Sequence, residues 1–170
     1  MCAHSHLPCL IEVKMNKPSL IFFLLVGIGL STSSYLIYYH YLAVAGAEGW
    51  CNINNQINCN KVILSKYSEI LGMPLGVLGI IWFSVAGLLR YLGSVSYFKI
   101  SGSIVSFYLF IWTSIGLSTV IGLLYLEIFA VGAICLFCTL CHILAAGIFI
   151  ISYVSLKKPL GDYIRDAFYQ

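Results

Sequence analysis

The sequence predicts an all-α membrane protein: a four-transmembrane-helix bundle with a short extracytoplasmic amphipathic helix as a lid. Three observations predict it. The chain of 170 residues is 61% hydrophobic and only 9% charged, against about 25% charged in an ordinary soluble domain. Polar groups could not cover a soluble surface. The charges are also unevenly placed, with none from Lys17 to Glu48, Glu69 to Arg90, Lys99 to Glu127, or Glu127 to Lys157. Each gap can hold the roughly 20-residue helix that crosses a bilayer. Finally, hydrocarbon offers the backbone no hydrogen-bond partners, so a span is a helix or a barrel strand, and these runs are too long for strands. The spans are expected near 19–45, 73–91, 100–126 and 132–156, with 91–98 a loop.

An even number of spans puts both ends on one side. That side then carries Lys14, Lys17, Arg90, Lys99, Lys157, Lys158 and Arg165, and the other side only Lys61 and Lys66. The positive-inside rule makes the first side cytoplasmic and points to a plasma-membrane protein. The 46–72 loop and a short turn near Glu127 then face outward, where disulfides persist. Ala43-Val44-Ala45 resembles a signal-peptide cleavage site, but the apolar run before it far exceeds an h-region of about 7–15 residues. The first helix is expected to be retained.

Residues 1–18 read as a disordered extension, 19–156 as the membrane domain and 157–170 as a cytoplasmic tail. Cys2, His4, His6 and Cys9 are residue types that bind zinc, but their spacing matches no standard site and no metal is expected. Small residues in the first helix (Gly27, Gly29, Ser31–Ser34) and the third (Ser114, Gly116, Ser118, Thr119) suit close helix packing. In the loop, Asn52, Asn54, Asn55, Asn58 and Asn60 signal turns and caps. Beyond them Ile63, Tyr67, Ile70 and Leu71 follow the i, i+4, i+7, i+8 pattern of one helical face. This predicts the lid helix, as an interfacial anchor or a cover over a cavity. Pro74 is expected to start the second span.

Cysteines carry the chemistry. Cys51 and Cys59 flank the Asn-rich part of the loop. Cys135-Leu-Phe-Cys138 is a C-x-x-C at the outer start of the fourth helix, and Cys138-Thr-Leu-Cys141-His142 overlaps it as a C-x-x-C-H, the spacing of c-type haem attachment. Helical spacing puts Cys135, Cys138 and His142 on one stripe and turns Cys141 off it. The helix N-terminus favours a thiolate, most of all at Cys135. A haem on Cys138 and Cys141, with His40 as second axial ligand, would lie on a buried membrane helix with no soluble domain around it. The haem carrier is the alternative from another class.

Two outward-facing pairs suggest a relay, since thiol–disulfide exchange moves electrons through mixed disulfides. The loop pair could meet a soluble partner and the helix pair a lipid-soluble quinone, which needs an apolar cavity with a few polar groups. Ser65 and His142 are candidates for those groups, because an imidazole within a span is functional by default.

In these residues the chain resembles the vitamin K epoxide reductase family. The match comprises the Cys51…Cys59 pair followed by Ser65, Gly72-Met-Pro-Leu-Gly-Val-Leu-Gly79 at the second span, and Gly132-Ala-Ile-Cys-Leu-Phe-Cys-Thr-Leu-Cys-His142 at the fourth. It covers about residues 20–156. Unrelated DsbB-type enzymes place the C-x-x-C in the first external loop, the opposite arrangement. The resemblance implies a helical bundle around a quinone such as ubiquinone or menaquinone. It makes Cys138 the quinone-proximal thiol and Cys135 its resolving partner. Cys51 would meet a thioredoxin-like (DsbA-like) protein and Cys59 would reach Cys135, with Ser65 and Val62 near the quinone ring. Some relatives fuse that partner to their C-terminus; here it is expected in trans. Beyond the partner and membrane lipid no other macromolecule is expected, nucleic acid included. The vertebrate enzyme's asparagine near the second span has no counterpart in 73–77, and its tyrosine after the second C-x-x-C is His142. These departures favour disulfide generation over reduction of vitamin K quinone or epoxide.

Overall fold

The computed structural model describes residues 17–94 and 102–156. The expectations for the extension, with Cys2, His4, His6 and Cys9, and for the 157–170 tail fall outside these residues, except that Lys17 and Pro18 open the first helix. Helix α1 (Lys17–Val44) has Pro18 in its first turn, where a missing N–H costs nothing. A five-residue helix α2 (Cys59–Ile63) follows, then strands β1 (Glu69–Ile70) and β2 (Met73–Pro74). Helices α3 (Leu75–Ser94), α4 (Gly102–Tyr125) and α5 (Leu136–Val154) complete the chain. Four helical segments are long and apolar enough to cross a membrane, and the protein is a multi-pass membrane protein.

The lid differs from its expected form. The helix ends at Ile63, and the chain then folds into turns: the Ser68 N–H and hydroxyl both bond the Ser65 carbonyl, at 3.0 and 2.8 Å. The β1–β2 hairpin pairs Glu69 with Pro74 and Ile70 with Met73, turning at Leu71 (φ 54°) and Gly72 (φ 76°). Serine competes for backbone groups through its hydroxyl, and the positive φ angles break any helix. The apolar face read from the spacing therefore splits: Ile63 is buried while Leu71 is 94% exposed. Pro74 ends β2 immediately before α3 rather than opening the helix. The hairpin is tied to α1 by His40 Nε2, 3.0 Å from Glu69 Oε1.

The third span also runs on past its expected end. Instead of turning at Glu127, the chain continues from α4 into a π-helical stretch, Leu126–Val131. This buries Glu127, which is 6% exposed, whereas the sequence placed it in an outward turn. The wider π turn stops at Gly132 in the left-handed region (φ 63°), whose N–H bonds the Glu127 carbonyl. Four residues, 132–135, then lead into α5.

The long helices form a ring: α1 packs on α3 and α5, and α4 packs on the same two. One core, around Phe22, Val26, Phe83, Ala86, Leu109, Leu144 and Ile148, joins the helices. A second, at the loop end, contains Cys51, Cys59 and Cys135. Many helical hydroxyls bond their own helix's carbonyls, as Thr32 does to Ile28 and Ser114 to Phe110, which satisfies them in hydrocarbon. Glycine sets the α1–α3 approach at Gly29, where a Cβ would collide with the Phe83 ring, while Gly27 faces open space. Gly29→Val is expected to cost about 1–3 kcal/mol through overpacking, with Gly27→Val within about 0.5 kcal/mol. The midpoint of SDS-induced unfolding in detergent micelles measures both.

Candidate active site

Asparagines build the loop that holds the first cysteine pair. Asn54 Oδ1 accepts from the N–H groups of Gln56 and Ile57, each at 2.8 Å. Asn58 caps α2 by accepting from Lys61 N–H at 2.9 Å. Asn60 donates to the Ala47 carbonyl at 3.0 Å and accepts from the Tyr39 hydroxyl. Its own N–H bonds Asn52 Oδ1 at 3.1 Å. The chain is thus folded back so that Cys51 and Cys59 lie 5.7 Å apart at Cα and form a disulfide, within the usual Cα range of about 4.4–6.8 Å. Both are fully buried.

A backbone clip brings this loop to the second pair. Ile57 and Ile134 form a parallel bridge. Asn58 N–H donates to the Ile134 carbonyl at 3.2 Å, and Ile134 N–H to the Gln56 carbonyl at 2.7 Å. Lys61 adds a bond from Nζ to the Gly132 carbonyl at 3.3 Å. Cys59 follows one clipped residue and Cys135 the other, and the two share one buried cluster with Cys51, Tyr39, Val62 and Ile63. Cys138 packs against the same cluster.

Cys135 is the N-cap of α5, not a residue of its first turn: its backbone is extended and its Sγ accepts from Cys138 N–H at 3.4 Å. Hydrogen bonding to the Cys138 side chain holds the Cys135 thiol below the ordinary cysteine range. Burial and the charge of Glu127 oppose this, and the Cys138 and Phe137 N–H groups assist it. This placement is one in which a helix N-terminus favours a thiolate.

Beyond Cys138 opens a cavity of about 400 Å³, walled by every long helix and by the loop. Cys138, His142, Ser65 and Val62 all line it. Of the residues singled out from sequence, Cys51, Cys59 and Cys135 do not; they lie in the cluster behind it. The expected stripe therefore divides, and Cys141 is corrected: it lines the cavity too, with Ser33 Oγ 4.0 Å from its sulfur. Because Cys135 caps the helix, the face is counted from Cys138, and Cys141 at i+3 shares it. His142, at i+4 from Cys138, lines the cavity with it.

Sequence reasoning missed two cavity residues with buried, unpartnered polar atoms. These are Glu127, at Oε2, and Trp82, at Nε1; His142 Nδ1 is a third such atom. Glu127 has a signal, as the lone charge between Lys99 and Lys157, but the same signal fits a span boundary equally well.

Free thiols clustered with a disulfide, inside a multi-pass membrane bundle, are the equipment of a membrane thiol oxidoreductase. Residues 20–153 match the vitamin K epoxide reductase family, so the chain belongs to that family of oxidoreductases, whose members act on quinones. No curated protein matches the chain. The cavity suits such a group: its volume falls in the roughly 300–1,000 Å³ range of ligand pockets, its walls are mostly apolar, and three buried polar atoms on it lack partners.

The hydrogen bond that favours the Cys135 thiolate comes first from the Cys138 side chain. Cys138→Ala removes that donor and leaves the N–H, so the Cys135 thiolate should form at higher pH. The pH profile of Cys135 alkylation by iodoacetamide, read by mass spectrometry, should move to higher pH relative to the wild-type chain.

Proposed function

We propose that the protein generates disulfides by passing electrons from a thioredoxin-like protein to a membrane quinone. A partner thiolate attacks Cys51 of the Cys51–Cys59 disulfide and frees Cys59. Cys59 attacks Cys135 of an oxidised Cys135–Cys138 pair, forming a Cys59–Cys135 mixed disulfide and releasing Cys138, which takes up one of the two protons lost by the partner's thiols. The partner's second thiolate resolves the partner–Cys51 bond. Cys51 then attacks Cys59, restoring the loop disulfide and releasing Cys135, which takes up the second proton. The quinone, when bound, accepts the two electrons and two protons given up as Cys135 and Cys138 close their disulfide again. The net change is dithiol plus quinone to disulfide plus quinol.

One observation carries this reading: Cys51, Cys59 and Cys135 occupy a single buried cluster, with Cys138 between it and the cavity. Cys138 then bridges two environments, a dry thiol cluster and an apolar pocket. In the pocket, Ser65, Val62 and His142 are read as quinone contacts. Cys51 is 1% exposed while neighbouring Trp50 is 72% exposed, so partner attack requires the loop to open around Trp50. The excess of Lys and Arg on the side of the termini favours a plasma-membrane protein with cytoplasmic ends and the cysteines outside. Direction follows the redox potentials of partner and quinone, about 30 mV shifting a two-electron couple by about 1.4 kcal/mol.

Purified protein supplied with a short-chain ubiquinone and a reduced thioredoxin-like protein should form quinol. Cys138→Ala should abolish this. Cys51→Ala should lose oxidation of the protein partner yet still turn over with dithiothreitol. Equal loss with both reductants contradicts the shuttle role of Cys51. The same preparation offered vitamin K epoxide should turn over poorly; efficient epoxide reduction would favour the reductase reading.

A further inference from the structure

We infer that Glu127 is the catalytic proton carrier of the cavity, taking the proton of the Cys138 thiol as it ionises and delivering it to a carbonyl oxygen of the quinone. This rests on the reading that a quinone occupies the cavity. Closing the Cys135–Cys138 disulfide removes two electrons and two protons from the thiols, and all four end on the quinone, whose two carbonyl oxygens become hydroxyls. Glu127 returns to its starting state after each transfer. The Cys135 proton follows by the same carboxyl in a second pass.

The position of the carboxyl is the first support. Glu127 lies within the third span, is 6% exposed, lines the cavity wall with Cys138 and His142, and keeps Oε2 without a partner. Its carboxyl also interacts with the Cys135 backbone N–H and, through charge, with both Cys135 and Cys138. The carboxyl thus faces the cavity and, through charge, influences both thiols.

Cost is the second support. A carboxylate in a membrane interior is expensive unless paired. Among the described residues, no cation forms an ion pair with Glu127, and the nearby Lys61 amino group is spent on the Gly132 carbonyl. A purely structural role would be better met by an apolar side chain. Two negative charges in one apolar cavity also repel. A proton held on Glu127 therefore permits a thiolate beside it, and thiolate formation supplies that proton. The other titratable groups facing the cavity are Cys141 and His142 of α5, His40 of α1 and Tyr67 of the loop. Of these, His40 is engaged with Glu69.

Glu127→Gln keeps shape and hydrogen bonding and removes the proton exchange. In detergent-purified full-length protein, single-turnover quinol formation from a short-chain ubiquinone should fall about 10²-fold. Alkylation of Cys138 by N-ethylmaleimide at neutral pH should become faster, because the neighbouring negative charge is gone. Glu127→Asp should regain part of the turnover. A merely structural role does not speed alkylation while slowing turnover. Wild-type turnover in Glu127→Gln would overturn the inference alone, as would slowed turnover with unchanged alkylation, or equal loss in the Gln and Asp variants. No quinol formation by the wild-type chain would overturn the quinone reading and this inference with it. Should Glu127→Gln not fold, infrared difference spectra of the wild-type chain decide. A carboxylic-acid band should rise as the thiols ionise and vanish as quinol forms, and its absence would overturn the inference.

Discussion

Two backbone hydrogen bonds join the loop after α1 to the four-residue connection ahead of α5, pairing Ile57 with Ile134. Each cysteine of the proposed Cys59–Cys135 exchange follows a clipped residue, Cys59 after Asn58 and Cys135 after Ile134. The pairing is short, yet most of the site hangs on it. It seals Cys51, Cys59 and Cys135 into one buried cluster and sets the start of α5, so that Cys135 caps the helix and its sulfur receives the Cys138 N–H. Backbone bonds suit the proposed exchange because their geometry does not depend on the side chains that would change partners.

The bundle supplies what the clip does not. The ring of four helices leaves an apolar cavity whose walls come from all of them, closed at one end by α2 and the turns around Ser65 and Ser68. Cys138 stands between cluster and cavity, so in the proposed relay one residue would serve both a sulfur partner and a lipid-soluble acceptor. The π-helical stretch makes the third contribution, since it carries Glu127, buried on the cavity wall. The non-helical turns of the lid leave Val62 and Ser65 on the cavity wall while exposing Leu71.

Much of this was legible in the sequence, for physical reasons. Hydrocarbon excludes charge, so the charge-free runs located the four spans, and the C-x-x-C with a distant loop pair identified the family. Asparagine chemistry foretold the turns and caps of the loop. The failures are equally specific. Charge marks a span boundary only where water solvates it, and Glu127 is an interior charge, so the third span runs beyond the point where the charge pattern ends it. Helical spacing misleads where the chain is not helical: beyond Ile63, where Ser65 and Ser68 fold the backbone into turns, and at Cys135, an extended cap. The second error misplaced Cys141. The clip itself had no sequence signal, since Ile57 and Ile134 carry no mark of pairing across 77 positions.

The central claim is that electrons cross from the loop to the helix through Cys59 and Cys135. Trapping that bond tests it most directly. In a Cys51→Ala, Cys138→Ala protein, Cys59 and Cys135 lose their usual partners and should become joined in a disulfide, seen as a linked peptide pair by mass spectrometry. A Cys51→Ala, Cys135→Ala protein should yield no corresponding Cys59–Cys138 link. A Cys59–Cys138 link in the second protein, with no Cys59–Cys135 link in the first, would contradict the account.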